Sequence, residues 1–298
     1  MRPRHSLVWS ADSASRFVQL QFLFYRGNCW PLPCSGANSP GCGFIRYSIF
    51  RFSFRAGRGR EILGEHSAMK KGILYGVGVG PGDPELLTLK AQRILKEADV
   101  IAVPDKGTGE KTALSIIGPL AEGKPLLYCA APMTRDPDCL EAAYEQNARQ
   151  IAALLDEGKT VAFITLGDPS IYSTYLYTHR KVLAMGYEGK LIPGVPSFCA
   201  VAAALGEGLC EGSERLMIVP ASHKDVSDCL AVDANYIFMK AGREIGRLRD
   251  TLAEQGLLDH AAMVENCGME TERVFPRFAE APADSGYFSV VVVKRDGN

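Results

Sequence analysis

From residue 72 onward the chain alternates short apolar or β-branched runs with longer stretches of helical periodicity. "ILYGVGV", "PELLTLKAQRILKEA", "VIAV", "EAAYEQNARQIAALLDEG" and "TVAFITL" follow in that order, and the pattern continues through "SIYSTYLYTHRKVLAMG", "KLIPG", "PSFCAVAAALG", "RLMIVP", "NYIFMK", "REIGRLRDTLAEQG", "AAMVENC" and "YFSVVVVK". Strands separated by helices pair through long crossovers. The alternation therefore predicts an α/β fold with largely parallel pairing. A chain of 298 residues has room for two such domains. The Gly- and Glu-rich stretch "LGEGLCEGSE" separates two groups of strands, which places the domains at residues 69–208 and 209–298. Within the first, residues 123–140 interpose a strand and a polar, Pro-containing loop, the kind of segment that carries binding residues on a rigid scaffold.

Residues 1–68 do not share this pattern. They hold nine Arg and no Lys against three acidic residues, whereas residues 69–298 hold 24 basic and 31 acidic residues, a formal balance of −7. Met69-Lys70-Lys71 before a core strand looks like an ordinary protein start, so residues 1–68 read as a non-native or disordered extension from a start site placed too early. A basic arm for nucleic acid or membrane is the second reading and a secretory signal the third. Against the signal, the apolar run "FVQLQFLF" is short and broken by two Gln.

Nine cysteines include no C-x-x-C pair and no His at ligand spacing. That argues against zinc or iron–sulfur ligation; reduced thiols acting as small apolar groups point to the cytosol. No apolar stretch reaches the length of a membrane-spanning helix. The acidic balance of residues 69–298 argues against a nucleic-acid partner.

The stretch "GVGVGPGDPELLTLKA" raises the question of a phosphate loop. A dinucleotide fingerprint opening at Gly76 or Gly78 would need its last glycine where Pro81 or Asp83 stands. Pro81 also removes an N–H and Asp83 adds negative charge at the helix entrance, opposite to what an anion needs there. Gly-Asp-Pro recurs at 167–169, again after an apolar strand. Asp as N-cap and Pro as first helical residue would explain both copies structurally. The functional alternative is that both loops, at the carboxyl ends of parallel strands, offer a carboxylate to a neutral or cationic ligand bearing hydroxyls.

The loops "VGVGPGDPELLTLKA" and "TLGDPSIYST" resemble the two signature loops of the tetrapyrrole methylase family. "APMTRD" (131–136), "IPGVPSFCAVAAA" (192–204), "IFMK" (237–240) and "ENCGMETERVF" (265–275) resemble its C20-methylating branch, the precorrin-2 or cobalt-factor II C20-methyltransferases of cobalamin synthesis. Ser173-Thr174 after Tyr172 agrees with that branch. The resemblance covers essentially all of 69–298 and none of 1–68. It implies two α/β domains with S-adenosylmethionine in the cleft between them, a tetrapyrrole substrate, no resident metal and a homodimer. It assigns cofactor contacts to Pro81, Leu166, Asp168, Ile171, Ser173, Ser197, Phe198 and Met239. The implied reaction moves a methyl group to an electron-rich macrocycle carbon and needs no Ser/His/Asp constellation. Tyr172 and His223 are candidates for a proton acceptor. Arg135 and Lys240 are candidates for binding the substrate's carboxylates. The alternatives are a relative acting on another corrinoid position, on ribosomal RNA or on a translation factor, and a catalytically silent S-adenosylmethionine-binding protein.

Overall fold

The computed structural model describes residues 71–107, 111–223 and 226–295. The readings placed on residues 1–68 lie outside the described residues. Five strands form the first sheet: β1 (Ile73–Gly78), β2 (Val100–Asp105), β3 (Leu126–Ala130), β4 (Val161–Thr165) and β5 (Glu188–Ile192), all parallel, in the order β3-β2-β4-β1-β5. Because side chains alternate along a strand, the sheet buries two apolar faces. Val77, Ile101, Val103, Ala162 and Ile164 pack with α1 (Leu89–Glu97) and α2 (Thr112–Ile117), while Leu74, Val100, Ala102, Val161 and Phe163 pack with α3 (Pro137–Asp156) and α4 (Tyr175–Ala184). Burial on both faces is why these strands read as continuous apolar runs.

The helices begin where local chemistry satisfies their first N–H groups. Thr88 caps α1 by accepting from the Ala91 N–H, and Asp136 caps α3 by accepting from the Asp138 N–H with Pro137 in the first position. The stretch "PELLTLKAQRILKEA", expected as one helix, is two elements: a 3-10 turn at Pro84–Leu86 and then α1. Leu87 and Thr88 are extended between them, because the turn and the helix have separate caps.

The second sheet comprises β6 (Leu216–Pro220), β7 (Asn235–Met239), β8 (Ala261–Glu265), β9 (Arg273–Phe275) and β10 (Ser289–Val293), in the order β6-β7-β10-β8-β9. Here the expectation of largely parallel pairing fails. β6 and β7 are parallel, but β10 runs antiparallel to β7 and β8, and β9 to β8. Tyr236, Phe238, Met263 and Val291 face one core with α7 (Ile245–Glu254) and α6 (Val226–Leu230); Ile237, Val264, Val290 and Val292 face the other, against α5 (Ser197–Leu205). Thus α5, which precedes residue 208, packs on the second sheet through Phe198 and Val201.

Candidate active site

The loops that leave β1, β4 and β5 converge. Gly80 and Gly167 exchange backbone hydrogen bonds, N–H to O, of 3.3 and 2.7 Å. A Cβ on Gly194 would stand 2.2 Å from the Gly167 carbonyl oxygen, and one on Gly78 would stand 2.6 Å from the same atom, so only glycine lets these backbones approach. Asp168 locks the arrangement. Its Oδ1 accepts from the Ser170 N–H at 2.8 Å and the Ser170 hydroxyl at 2.5 Å, and its Oδ2 accepts from the Gly194 N–H at 3.0 Å.

The two Gly-Asp-Pro copies therefore differ. Asp83 caps the short 3-10 turn, accepting from the Glu85 N–H at 2.8 Å. No helix follows Asp168 directly, since α4 begins at Tyr175, and the capping explanation fails there. Three bonds occupy three of the four or so acceptor positions of a carboxylate.

Beyond these loops lies a cleft of about 250 Å³ whose opposite wall is the second sheet. Pro81, Leu166, Asp168, Ile171, Tyr172, Ser173 and Ser197 line it from the β1, β4 and β5 loops, and Met239 and Lys240 from the end of β7. Phe198 is 8% exposed and lies in the α5 core rather than among the lining residues. Arg135 is exposed ahead of α3 and His223 follows β6; neither is a lining residue, although Pro132 and Met133 beside Arg135 are.

Two lining residues have left-handed backbones, Tyr172 at φ 47° and Lys240 at φ 59°, a conformation rare for side chains of this size. They are tied across the cleft: the Tyr172 hydroxyl donates to the Ile218 carbonyl at 2.9 Å, and Lys240 Nζ donates to the Tyr172 carbonyl at 3.3 Å. Burial raises the Tyr172 phenol above its ordinary pKa, and its proton is directed at a carbonyl. Tyr172 thus bridges the two walls through its hydroxyl and its carbonyl. Cys267, also in the wall, has its thiol pushed up to about 12 by burial and by neighbouring Glu272, so it stays protonated at neutral pH. Among the described residues no group of His, Cys, Asp or Glu could hold a metal ion. The walls offer apolar surface, hydroxyls, one carboxylate and three lysines.

Lys106 and Lys111, on the connection after β2, line the cleft together with Tyr287 and Phe288 ahead of β10. Sequence reasoning missed all four. The rule that ligands gather beyond the carboxyl ends of parallel strands points to the lysines as much as to Asp168. Tyr287 and Phe288 precede an antiparallel strand, where that rule is silent.

The family model for Tetrapyrrole (Corrin/Porphyrin) Methylases matches residues 73–282. The chain is 33% identical to the precorrin-2 C(20)-methyltransferase of Sinorhizobium sp over 241 residues, 76% of this chain and 97% of that protein. It is 33% identical over 234 residues to the cobalamin biosynthesis protein CobIJ of Mycobacterium tuberculosis, covering 75% of this chain and 46% of the relative. The chain thus spans about half the length of that protein. The uroporphyrin-III C-methyl transferase of Thermus thermophilus, solved in complex with S-adenyl homocysteine, shares the fold at a TM-score of 0.56 and 22% identity, covering 74% of this chain and 97% of that one. With the match running from the first residue of β1 to the turn ahead of β10, across the loops that build the cleft, the chain belongs to the tetrapyrrole (corrin/porphyrin) methylases.

Proposed function

We propose that this chain transfers the methyl group of S-adenosylmethionine to C20 of precorrin-2 or of its cobalt-bearing counterpart, cobalt-factor II. The observation that carries the reading is the two-walled cleft beyond β1 and β4, in a chain that aligns with 97% of a precorrin-2 C(20)-methyltransferase. The cleft suits such a cofactor. Leu166, Ile171 and Met239 offer apolar surface for an adenine. Asp168 retains about one acceptor position for a hydroxyl or ammonium, and its charge favours a cation. Pro81 contributes no N–H, which disfavours a phosphate.

When bound, S-adenosylmethionine supplies a methyl group on a sulfonium whose departure leaves a neutral thioether. The chain's part is placement. Pro81, Leu166, Asp168, Ile171, Ser173, Ser197 and Met239 orient the donor, and Phe198 seats Ser197 by anchoring α5 in its core. The Tyr172–Ile218 and Lys240–Tyr172 bonds hold the walls at a fixed separation. Such alignment of two bound reactants can lower a barrier by up to roughly 7–11 kcal/mol. No proton acceptor is assigned to Tyr172 or His223 in this reading, because the first is a strut and the second lies outside the lining. Lys240, which lines the cleft, and Arg135, two residues beyond the lining Met133, bind the substrate's carboxylates in this reading. Each sheet with its helices constitutes one α/β domain, α5 belonging by packing to the second. A homodimer acting in the cytosol completes the proposal; light scattering on the purified chain tests the dimer.

The test is anaerobic incubation of the full chain with methyl-labelled S-adenosylmethionine and, separately, metal-free precorrin-2 or cobalt-factor II. Incorporation of one label at C20, located by NMR, is expected with at least one macrocycle. Binding of S-adenosylhomocysteine without transfer to either would favour the silent binder. Label appearing in RNA or in protein would favour the other substrate classes.

A further inference from the structure

Glu265 ends β8 with a carboxylate only 3% exposed, between Arg273 of β9 and Ser289 of β10 in the register of the sheet. Its Oε2 accepts from Arg273 Nε at 2.7 Å and also from Nη2, and its Oε1 accepts from the Gly286 N–H. An ion pair buried in this way adds little net stability over well-packed apolar residues. Its main consequence is where it holds the chain, and both oxygens hold segments that run on to the cleft.

Gly286 opens the segment that brings Tyr287 and Phe288 to the lining. The fit there is close: a Cβ on Gly286 would stand 3.0 Å from Glu265 Oε1, and one on Gly242 would stand 2.6 Å from the Gly286 carbonyl oxygen. Asn266, which follows Glu265, has φ 52° and donates its N–H to the Phe288 carbonyl at 3.1 Å. The turn beyond it is braced internally, since the Met269 N–H donates to the Asn266 carbonyl at 2.9 Å and the Gly268 N–H to Glu272 at 2.7 Å. Cys267 and Met269 of this turn line the cleft. Gly268 abuts the first loop of the opposite wall, where a Cβ on it would stand 2.8 Å from the Asp83 nitrogen. Arg273 is the first residue of β9, so its bond to Glu265 closes the hairpin across its base.

We propose that Glu265 is a positioning residue for methyl transfer, clamping the Cys267–Met269 turn and the Tyr287–Phe288 segment into one wall of fixed shape. The inference rests on the methyl-transfer reading and deepens it with a residue that is not itself among those lining the cleft. One carboxylate holds the base of both segments, so losing either of its partners frees the wall while the cores on each sheet stay packed.

The test uses the full 298-residue chain and two variants that change its charge in opposite directions. Glu265→Gln keeps the size of the side chain and removes the negative charge. Arg273→Met removes the positive one at an exposed position, and reports on the clamp even should Glu265→Gln fail to fold. The first readout needs no substrate: iodoacetamide modification of Cys267, 7% exposed beside the clamp, against Cys129, fully buried in the core of the first sheet. Cys267 should react about tenfold faster in both variants while Cys129 keeps its wild-type rate, because local opening exposes one thiol and general unfolding exposes both. The second readout is methyl transfer to whichever macrocycle the wild type accepts. Misalignment of the reactants should lower kcat by up to about 100-fold, while KM stays within about threefold because binding itself is not removed. Arg277→Met, which breaks an exposed pair with Glu280, should change neither readout. Wild-type Cys267 rates in both variants, or Cys129 accelerated as much as Cys267, overturn the clamp and leave methyl transfer standing. Faster Cys267 modification with a wild-type kcat, or an equal loss of kcat in Arg277→Met, overturns the positioning role. A wild-type chain that transfers no methyl group to precorrin-2 or cobalt-factor II overturns the functional reading, and the positioning role with it, whatever the thiols show.

Discussion

Asp168 is engaged by the protein before any ligand arrives, and this determines what its substitution does. In Asp168→Asn one oxygen remains an acceptor, but the amide nitrogen facing either Gly194 N–H or the Ser170 donors can accept from neither. A tie between the β4 loop and the β5 loop is lost and a donor is left opposed to a donor, at a cost of about 1–3 kcal/mol. The variant is expected to melt lower and also to bind S-adenosylhomocysteine more weakly; an unchanged melting temperature would show that the Gly194 tie contributes nothing. Gly-Asp-Pro singled out Asp168 in the sequence. Its bonding was not, because the first residue of the following helix lies seven positions on, and nothing in the local pattern shows that Gly194 arrives beside it. The thiols supply a second prediction at this scale. Burial pushes Cys129 up to about 12, as it does Cys267, whereas Cys139 and Cys210 are exposed. Since the thiolate is the reactive form, iodoacetamide at pH 8 should modify Cys139 and Cys210 well before Cys129 and Cys267, read by peptide mass spectrometry over time.

Helix α4 illustrates how an element is seated by one residue from another. The ring of Tyr175 lies against β1 where Gly76 stands; a Cβ at Gly76 would be 1.9 Å from a Tyr175 ring carbon. Gly76→Ala is therefore expected to be destabilising by roughly 1–3 kcal/mol through overpacking, visible in denaturant titration. Gly76 and Gly78 of "GVGVG", which do not complete a phosphate-loop fingerprint, are explained here by a ring and by neighbouring backbones. One helical turn on, the Tyr175 hydroxyl lies 2.9 Å from His179 Nδ1 in a buried pair. Burial, with Arg180 adding to it, lowers the His179 pKa below its ordinary value. The folded state then binds that proton less readily than the unfolded chain. The resulting stability is fully present above the ordinary histidine pKa near 6.5 and is lost as pH falls below it, levelling once the folded-state pKa is passed. Thermal melting from pH 7.5 down to 5 should show this loss, and His179→Gln, which can still meet the hydroxyl, should flatten it. The period of α4 was readable in "YLYTHRKVLA", but its partners across the sheet were not. In the second sheet four of the five strands were readable and their direction was not. A short run buried on both faces looks the same whether its neighbour is parallel or antiparallel, and the three residues of β9 are too few to display a period.

At the scale of the whole molecule, the alternation of runs from residue 72 was enough to expect an α/β fold, while the cleft between two domains was expected only from the family resemblance. Among the residues lining that cleft, those of the β1, β4 and β5 loops and Met239 and Lys240 at the end of β7 were legible. The cationic side of it, Lys106 with Tyr287 and Phe288, joins positions about 180 residues apart in the sequence. The same geometry bears on residues 1–68. The described lining residues run from Pro81 to Val290, the two sheets from Ile73 to Val293, and the family match begins at residue 73. Deleting residues 1–68 should therefore leave the melting temperature, the S-adenosylhomocysteine affinity and the methyl-transfer rate of the chain unchanged within error. It should change how the protein behaves as a charged body, because the formal net charge moves from −1 for the full chain to −7 for residues 69–298. The truncated protein is then retained more strongly on an anion exchanger and depends less on salt for solubility. A truncated protein that elutes as expected for its charge but has lost S-adenosylhomocysteine binding would assign the first 68 residues a part in the site. Retained cofactor binding with a lost methyl-transfer rate would place them instead at the entrance used by the macrocycle.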